Sequence, residues 1–222
     1  GSMVAVGKRR QLPVSALLTA MDQPLGAAVG NSLEVTEALQ CLRGEGPPDL
    51  RDVTLQLAAE MAVVGGLVEG VDEGLLAAER ALDGGGAMER FGRLVSAQGG
   101  PTSVNDQGWG PAAPHVAEVL ADDAGTVTLV EPRGLGYGLI QLGGGRTRQD
   151  QAIDPRVGFE LRVKVGDLVE KGQPLAVVHA ADEETHQLGV EAVHGAIRIA
   201  DSDSLRAPGA ANPLPLVVDR IS

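Results

Sequence analysis

The segment 19–37, TAMDQPLGAAVGNSLEVTE, has the residue types of a cation-binding loop. Pro24 and Gly26 interrupt a strand-like run, and a helix carrying Glu34 and Glu37 follows. Glycine is used where a backbone must turn sharply or approach a ligand, so such a loop is typical of a site. The two carboxylates would either complement the positive end of the helix, the commoner role, or donate oxygen atoms to a cation held by loop carbonyls.

The other candidates for chemistry are weaker. Gly143 to Arg146, GGGR, could form an anion nest, but it lacks the P-loop ending and the Rossmann spacing, so a tight turn between strands is favoured. No two of the four histidines have metal-ligand spacing, although His186 and His194 could share a helix face. Cys41 lies at an apolar helical position and is predicted to be a buried structural thiol. The residues alone predict no catalytic constellation.

Composition excludes several classes of partner. The formal net charge of −12 and the pI near 4.7 argue against binding to nucleic acid or to an anionic membrane surface. Aromatic residues make up 2% of the chain, too few for base-stacking platforms. No signal peptide and no apolar run long enough to span a bilayer is present, which predicts a cytoplasmic protein. Residues 1–2 are interpreted as the remnant of a cleaved tag.

The elements that must position the loop predict an α/β (α+β) fold. We expect an incomplete large α/β domain over residues 3–100 with helices on a mixed sheet, a linker over 101–114, and a C-terminal α+β subdomain over 115–222 resembling a β-rich sandwich or hammerhead. The predicted strands are 13–21, 125–130, 135–142, 157–163, 174–179 and 214–218, and the predicted helices are 32–42, 49–64, 73–82, 87–98 and 181–200.

Three stretches, in the same order, resemble the thymidine and pyrimidine nucleoside phosphorylases. They are PVSALLTAMDQPLGAAVGNSLEVTEALQCLRGEGPPDLRDVTLQLAAEM, GGGAMERFGRLVSAQGG, and the region from GTVTLVEPRGLGYGLIQLGGGRTRQD to PLAVVHA with the closing DRIS. The most specific part is the acid-x-Pro-Leu-Gly-x-x-Val-Gly loop that leads into a Leu-Glu-Val helix. The resemblance covers nearly the whole chain.

The resemblance implies phosphorolysis of a pyrimidine deoxynucleoside, which gives the free base and 2-deoxyribose 1-phosphate. Family members are homodimers in which a small helical domain closes over a large α/β domain. They are about twice as long, as expected for two domains. Their first half carries the Lys-x-Ser phosphate-binding motif and the Arg, Ser and Lys that hold the pyrimidine. Because none of these has a counterpart here, no catalytic or substrate-binding residue is assigned.

The resemblance also implies a potassium site and no organic cofactor. In bacterial pyrimidine nucleoside phosphorylases, two loop carbonyls and a helix carboxylate bind potassium, and by position these are Leu25, Ala28 and Glu37 here. The remaining oxygen ligands come from the missing N-terminal half. The predicted function is therefore the C-terminal portion of a thymidine phosphorylase-like enzyme, inactive alone.

Two alternatives remain open at this point. The chain could be a non-catalytic protein that binds a nucleoside or a partner. Its β-rich part could also be a carrier module of the biotinyl or lipoyl type, for which VKVGDLVEKGQPL would supply the hairpin. A carrier needs a lysine at an exposed hairpin tip, and Lys164 and Lys171 are poorly placed for that role.

Overall fold

A computed structural model describes residues 2–100, 110–200 and 214–221. Residues 101–109, the greater part of the predicted linker 101–114, lie outside the described residues. Within the described part, helices and short strands are interspersed, and four helices follow one another between residues 31 and 97. The helices are α1 (Ser2–Arg9), α2 (Asn31–Leu42), α3 (Pro48–Val64), α4 (Val71–Asp83), α5 (Gly86–Ala97), α6 (Pro132–Gln141) and α7 (Glu183–Ala196).

The strands form three small sheets, and all of the described strand pairs are antiparallel. The strands are β1 (Ala16–Thr19), β2 (Ala28–Val29), β3 (His115–Leu120), β4 (Gly125–Val130), β5 (Gly158–Leu161), β6 (Leu168–Val169), β7 (Pro174–Ala180), β8 (Ile197–Ala200) and β9 (Val217–Ile221). The sheet orders are β1-β9, β2-β5-β7-β3 and β6-β4-β8. The predicted α/β class is confirmed, and the described sheets form no closed barrel.

The chain divides into two compact units that are discontinuous in sequence. The first comprises the described residues within Gly1–Ala20, Ala38–Val104 and Leu214–Ser222, and the second those within Met21–Glu37 and Asn105–Pro213. The predicted domains are continuous stretches with boundaries at residues 100 and 115. The two compact units are not continuous, because the loop after β1 groups with the C-terminal residues.

The main hydrophobic core belongs to the second unit. Phe159 on β5, Leu135 on α6 and Val193 on α7 are fully buried in it, together with much of β7. In the first unit, helices α3 and α4 pack closely at Gly74, where an added Cβ atom would lie 2.8 Å from the carbonyl oxygen of Ala59. Cys41 is buried, as predicted.

Two predicted elements were wrong. Residues 135–142 were predicted to be a strand, but they lie mainly in helix α6, which begins at Pro132, a residue whose fixed φ suits the first helical position. The predicted helix 181–200 ends at Ala196, and residues 197–200 form β8 instead. In both cases the apolar run is short enough to fit the spacing of a helix or that of a strand, and tertiary packing decides between the two structures.

The glycines of α6 differ in what they contact. A Cβ atom added at Gly138 would lie 2.5 Å from Cβ of Ala192 on α7 and 3.2 Å from Cζ of Phe159. The same addition at Gly136 meets nothing within 4 Å. Gly138 therefore allows α6 and α7 to approach each other, whereas Gly136 has no packing role.

The connection from α6 to β5 is held by an arginine–carboxylate pair and by backbone hydrogen bonds. Nε and Nη2 of Arg156 donate to the two carboxylate oxygens of Asp154 at 2.9 and 2.7 Å. The backbone amide of Asp154 donates to the carbonyl of Gly143, and the next carbonyl, of Pro155, accepts from the amide of Ser32. The hydrogen bond from Arg156 holds the pKa of Asp154 below its ordinary value.

We expect Gly138→Ala to destabilise the protein and Gly136→Ala to stabilise it. Alanine at 138 clashes with α7, and overpacking of this kind costs about 1–3 kcal/mol. Alanine at 136 meets open space and gains about 0.5–1 kcal/mol from helix propensity. Urea unfolding followed by circular dichroism would measure both, and equal effects at the two positions would contradict the described packing of α6 on α7.

We expect Asp154 to make stability depend on pH in the acid range. Because its pKa is lower in the folded than in the unfolded state, its contribution is fully present above about pH 4 and is lost as the pH falls through the folded-state pKa. Asp154→Asn should reduce stability by roughly 1 kcal/mol at pH 7 and weaken this acid dependence. The control is Asp150→Asn, because Asp150 lies 3.8 Å from Arg148 and both side chains are exposed. A similar loss of stability in Asp150→Asn would contradict the role assigned to the Arg156–Asp154 pair.

Candidate functional site

The loop that precedes α2 is joined to the end of β5. Ala28 and Val29 pair with Glu160 and Phe159, and the amide of Leu161 donates to the carbonyl of Ala27 at 2.8 Å. Beside this pairing, Nε2 of His179 lies 3.2 Å from Oε1 of Glu160, and this interaction is the main cause that lowers the pKa of the glutamate. The loop is therefore an ordered part of the second unit.

Glu37 is the carboxylate that organises the loop. It is buried, with 8% of its surface exposed, although it carries a charged group. Its Oε1 accepts hydrogen bonds from the backbone amides of Ala27 at 2.7 Å and Ala28 at 2.9 Å. A buried carboxylate is tolerated when donors of this kind compensate its lost hydration.

Gly26 is required for this contact. Its φ of +68° lies in the left-handed region, which other residues rarely adopt. A Cβ atom there would lie 2.1 Å from Oε2 of Glu37, so the backbone comes directly against the carboxylate. The glycine in the loop thus serves a close approach to an acidic side chain within the chain itself.

Glu34 has a different role from Glu37. Its Oε1 accepts from the amide of Gly30 at 2.9 Å, at the start of α2. A carboxylate that accepts from the backbone amide just before a helix stabilises that end of the helix. The capping role therefore falls to Glu34, and Glu37 is directed at the loop.

The ammonium group of Lys164 contacts the same loop. This residue lies in the connection between β5 and β6, and its Nζ donates to the carbonyls of Pro24 at 2.7 Å and Gly26 at 2.5 Å. The adjacent amide of Val165 donates to Oε1 of Gln23 at 2.9 Å. Sequence reasoning missed Lys164, because its partners lie about 140 residues away and no local pattern points to them.

The residues assigned to potassium have the right donor types. Leu25 and Ala28 lie in the loop, and Glu37 lies in α2 with its carboxylate against that loop. Carbonyl and carboxylate oxygens are the ligands that hard cations prefer, and two other carbonyls of the loop already bind the ammonium group of Lys164. In the type of their donor atoms, these three residues fit a monovalent cation. The described residues contain no cluster of three or more His, Cys, Asp or Glu side chains that could bind a metal.

The GGGR segment does not form a phosphate cradle from its first two amides. The amides of Gly143 and Gly144 donate to the carbonyls of Ile140 and Leu139, which ends α6. The carbonyl of Gly144 accepts from Nδ2 of Asn31 at 2.8 Å. The segment is a turn, as predicted, but it joins a helix to a strand.

A groove of about 460 Å³ in the first unit was not predicted. It is lined by residues that include Leu12, Val14 and Val63, and by the ion pair between Arg220 Nε and Glu60 Oε1 at 2.7 Å. Glu60 is buried, and its charge is balanced by that arginine. The groove is mainly apolar, and the Arg220–Glu60 pair forms part of its polar lining.

Two family models match the chain. Residues 1–88 match the α/β domain of a glycosyl transferase family, and residues 126–200 match the pyrimidine nucleoside phosphorylase C-terminal domain. The thymidine phosphorylase of Burkholderia cenocepacia (strain J2315) is 40% identical over 208 residues, which is 90% of this chain. The chain spans 47% of the length of that relative.

The two matched regions include the loop and the residues that contact it. The loop and α2 fall within the first matched region, and Lys164, which contacts the loop, falls within the second. Within the described residues, no helix is both long and apolar enough to cross a bilayer. The chain belongs to the thymidine and pyrimidine nucleoside phosphorylase family.

Proposed function

We propose that this chain is the C-terminal portion of a thymidine phosphorylase-like enzyme. In the proposed reaction an oxygen of inorganic phosphate bonds to the anomeric carbon of thymidine. The glycosidic carbon–nitrogen bond breaks, and its electron pair leaves with the base. The products are thymine and 2-deoxyribose 1-phosphate, which makes the enzyme a pentosyltransferase of pyrimidine nucleoside salvage.

One observation carries this proposal: the 40% identity to a thymidine phosphorylase that extends over 90% of the chain, through both matched regions. The phosphate- and pyrimidine-binding motifs expected from the family resemblance have no counterpart in the sequence. In the GGGR segment, the amides of Gly143 and Gly144 bond to carbonyls of α6 and form no anion cradle. We therefore propose that catalysis needs an N-terminal half, and that the complete enzyme is a homodimer.

The first unit supports the need for a partner polypeptide. Several of its large apolar side chains are strongly exposed, among them Leu12 at 61% and Met61 at 72%. We propose that a partner polypeptide covers some of these side chains, since removing apolar surface from water is favourable. The occupant we propose is the N-terminal half of a phosphorylase of this family, because the chain spans 47% of its relative.

We also propose that Leu25, Ala28 and Glu37 contribute three oxygen ligands to a potassium site. The support is the donor chemistry of the loop and the close approach of Glu37 to it. Potassium bound there would tie the loop to ligands from the N-terminal half. The bound potassium would position the loop and would take no part in breaking the glycosidic bond.

We expect the chain alone to be inactive and a mixture to be active. The experiment measures phosphate-dependent release of thymine by its ultraviolet change, for this chain with and without the separately produced N-terminal half of the Burkholderia cenocepacia enzyme. Mixing should raise the rate of thymine release by at least about a hundredfold, because assembly holds the two reactants in position next to each other. Activity of the chain alone would overturn the incomplete-site proposal, and no activity in the mixture would favour a non-catalytic binding protein.

We expect Glu37→Gln to weaken potassium binding in the reconstituted enzyme. Loss of one charged ligand should raise the half-saturating potassium concentration about tenfold, equivalent to roughly 1.4 kcal/mol. The glutamine side-chain carbonyl can still accept from Ala27 and Ala28, so the loop should remain folded. Glu45→Gln, at an exposed position, is the matched control. An unchanged potassium dependence in Glu37→Gln would refute the site.

A further inference from the structure

The backbone groups of the loop at residues 23–28 form hydrogen bonds with two side chains of opposite charge. Its amides at Ala27 and Ala28 donate to the Glu37 carboxylate, and its carbonyls at Pro24 and Gly26 accept from the Lys164 ammonium. Charged partners make hydrogen bonds about twice as strong as neutral ones. The loop is therefore held by one anion for its donors and one cation for its acceptors.

We infer that Lys164 is a positioning residue, a covalently attached cation that orders the loop from the side of the C-terminal domain. Its ammonium carries the charge of a monovalent ion and binds two carbonyl oxygens, as such an ion would. The carbonyls that it uses, at Pro24 and Gly26, are different from those assigned to potassium. The inference deepens the proposed cation site and rests on the proposed function only for its effect on activity.

Further contacts place this ammonium accurately. The backbone amide of Lys164 donates to Oδ2 of Asp167 at 2.8 Å, which fixes the turn after β5. Before Lys164 in the chain, the backbone amide of Leu161 donates to the carbonyl of Ala27. After it, the backbone amide of Val165 donates to Oε1 of Gln23, so the lysine lies between two other hydrogen bonds to the loop. Its side chain is partly buried, so solvent weakens the charge interaction less than at a fully exposed position. The ammonium is thus directed to the carbonyls before any external cation binds.

The chain offers a matched control for this residue. Its only other lysines are Lys8 and Lys171, and Lys171 is exposed in the turn before β7. Lys171→Ala removes the same charge and side chain from the same domain without touching the loop. A difference between the two alanine variants therefore reports the contact with Pro24 and Gly26 and not the change in net charge.

The test measures hydrogen exchange at the amides of Ala27 and Ala28 in the chain itself, so it does not depend on phosphorolysis. We expect exchange to be about tenfold faster in Lys164→Ala, from loss of hydrogen bonds to a charged donor. Adding 0.1 M ammonium or potassium chloride, roughly physiological ionic strength, should restore protection in this variant, because a free cation can then occupy the two carbonyls. Choline chloride, at the same ionic strength, should not restore it. Wild type and Lys171→Ala should respond equally to the three salts.

Two other variants keep the inference falsifiable if Lys164→Ala is poorly folded. Lys164→Met keeps most of the apolar stem and should show the same fast exchange, whereas Lys164→Arg keeps a cationic donor and should restore protection. Unchanged exchange in the alanine and methionine variants would overturn the inference. Fast exchange that neither ammonium nor arginine corrects would also overturn it, since the lysine would then act by packing alone. Either result leaves the reconstitution experiment, and with it the proposed function, to be judged separately.

Discussion

The site depends on satisfying the backbone of a tight loop that leaves β1 and enters α2. A segment with a left-handed glycine cannot use a regular hydrogen-bond ladder, and each unpaired buried backbone group would cost about 1–3 kcal/mol. The carboxylate of Glu37 and the ammonium of Lys164 meet this requirement from two different elements. The first contact needs α2 and the second needs the β5–β6 connection, so the loop is ordered by the tertiary fold and not by its own sequence alone.

This arrangement joins the two regions matched by separate family models. The carboxylate belongs to the α/β region and the ammonium to the C-terminal region, and both lie in one compact unit. The antiparallel pairing of β2 with β5 adds a backbone connection between the same two regions. The C-terminal domain is therefore part of the loop's structure. A phosphorylase in which this domain were removed would keep the loop sequence but lose half of what holds it.

The sequence predicted the elements with strong periodicity and clear end signals. Helix α3 was predicted at 49–64 and spans Pro48–Val64, and α2 was predicted at 32–42 and spans Asn31–Leu42. The prediction failed for α6, because the short apolar run at 135–142 fits the period of a strand as well as that of a helix. Glu37 was singled out from the acids of α2, and the family resemblance alone assigned it to potassium. Lys164 was not, since its partners are distant in sequence and single-sequence patterns carry no information about such contacts.

The pairing of β1 with β9 has a consequence for biosynthesis. Ala16 lies opposite Ile221, so the first unit includes a strand made some 200 residues after its partner. Translation at about 5–20 residues per second separates the two strands by tens of seconds. During that interval β1 lacks the neighbour on that edge, and an exposed strand edge invites pairing with other chains. The second unit does not include β9, so its described residues are all made before the first unit receives this strand.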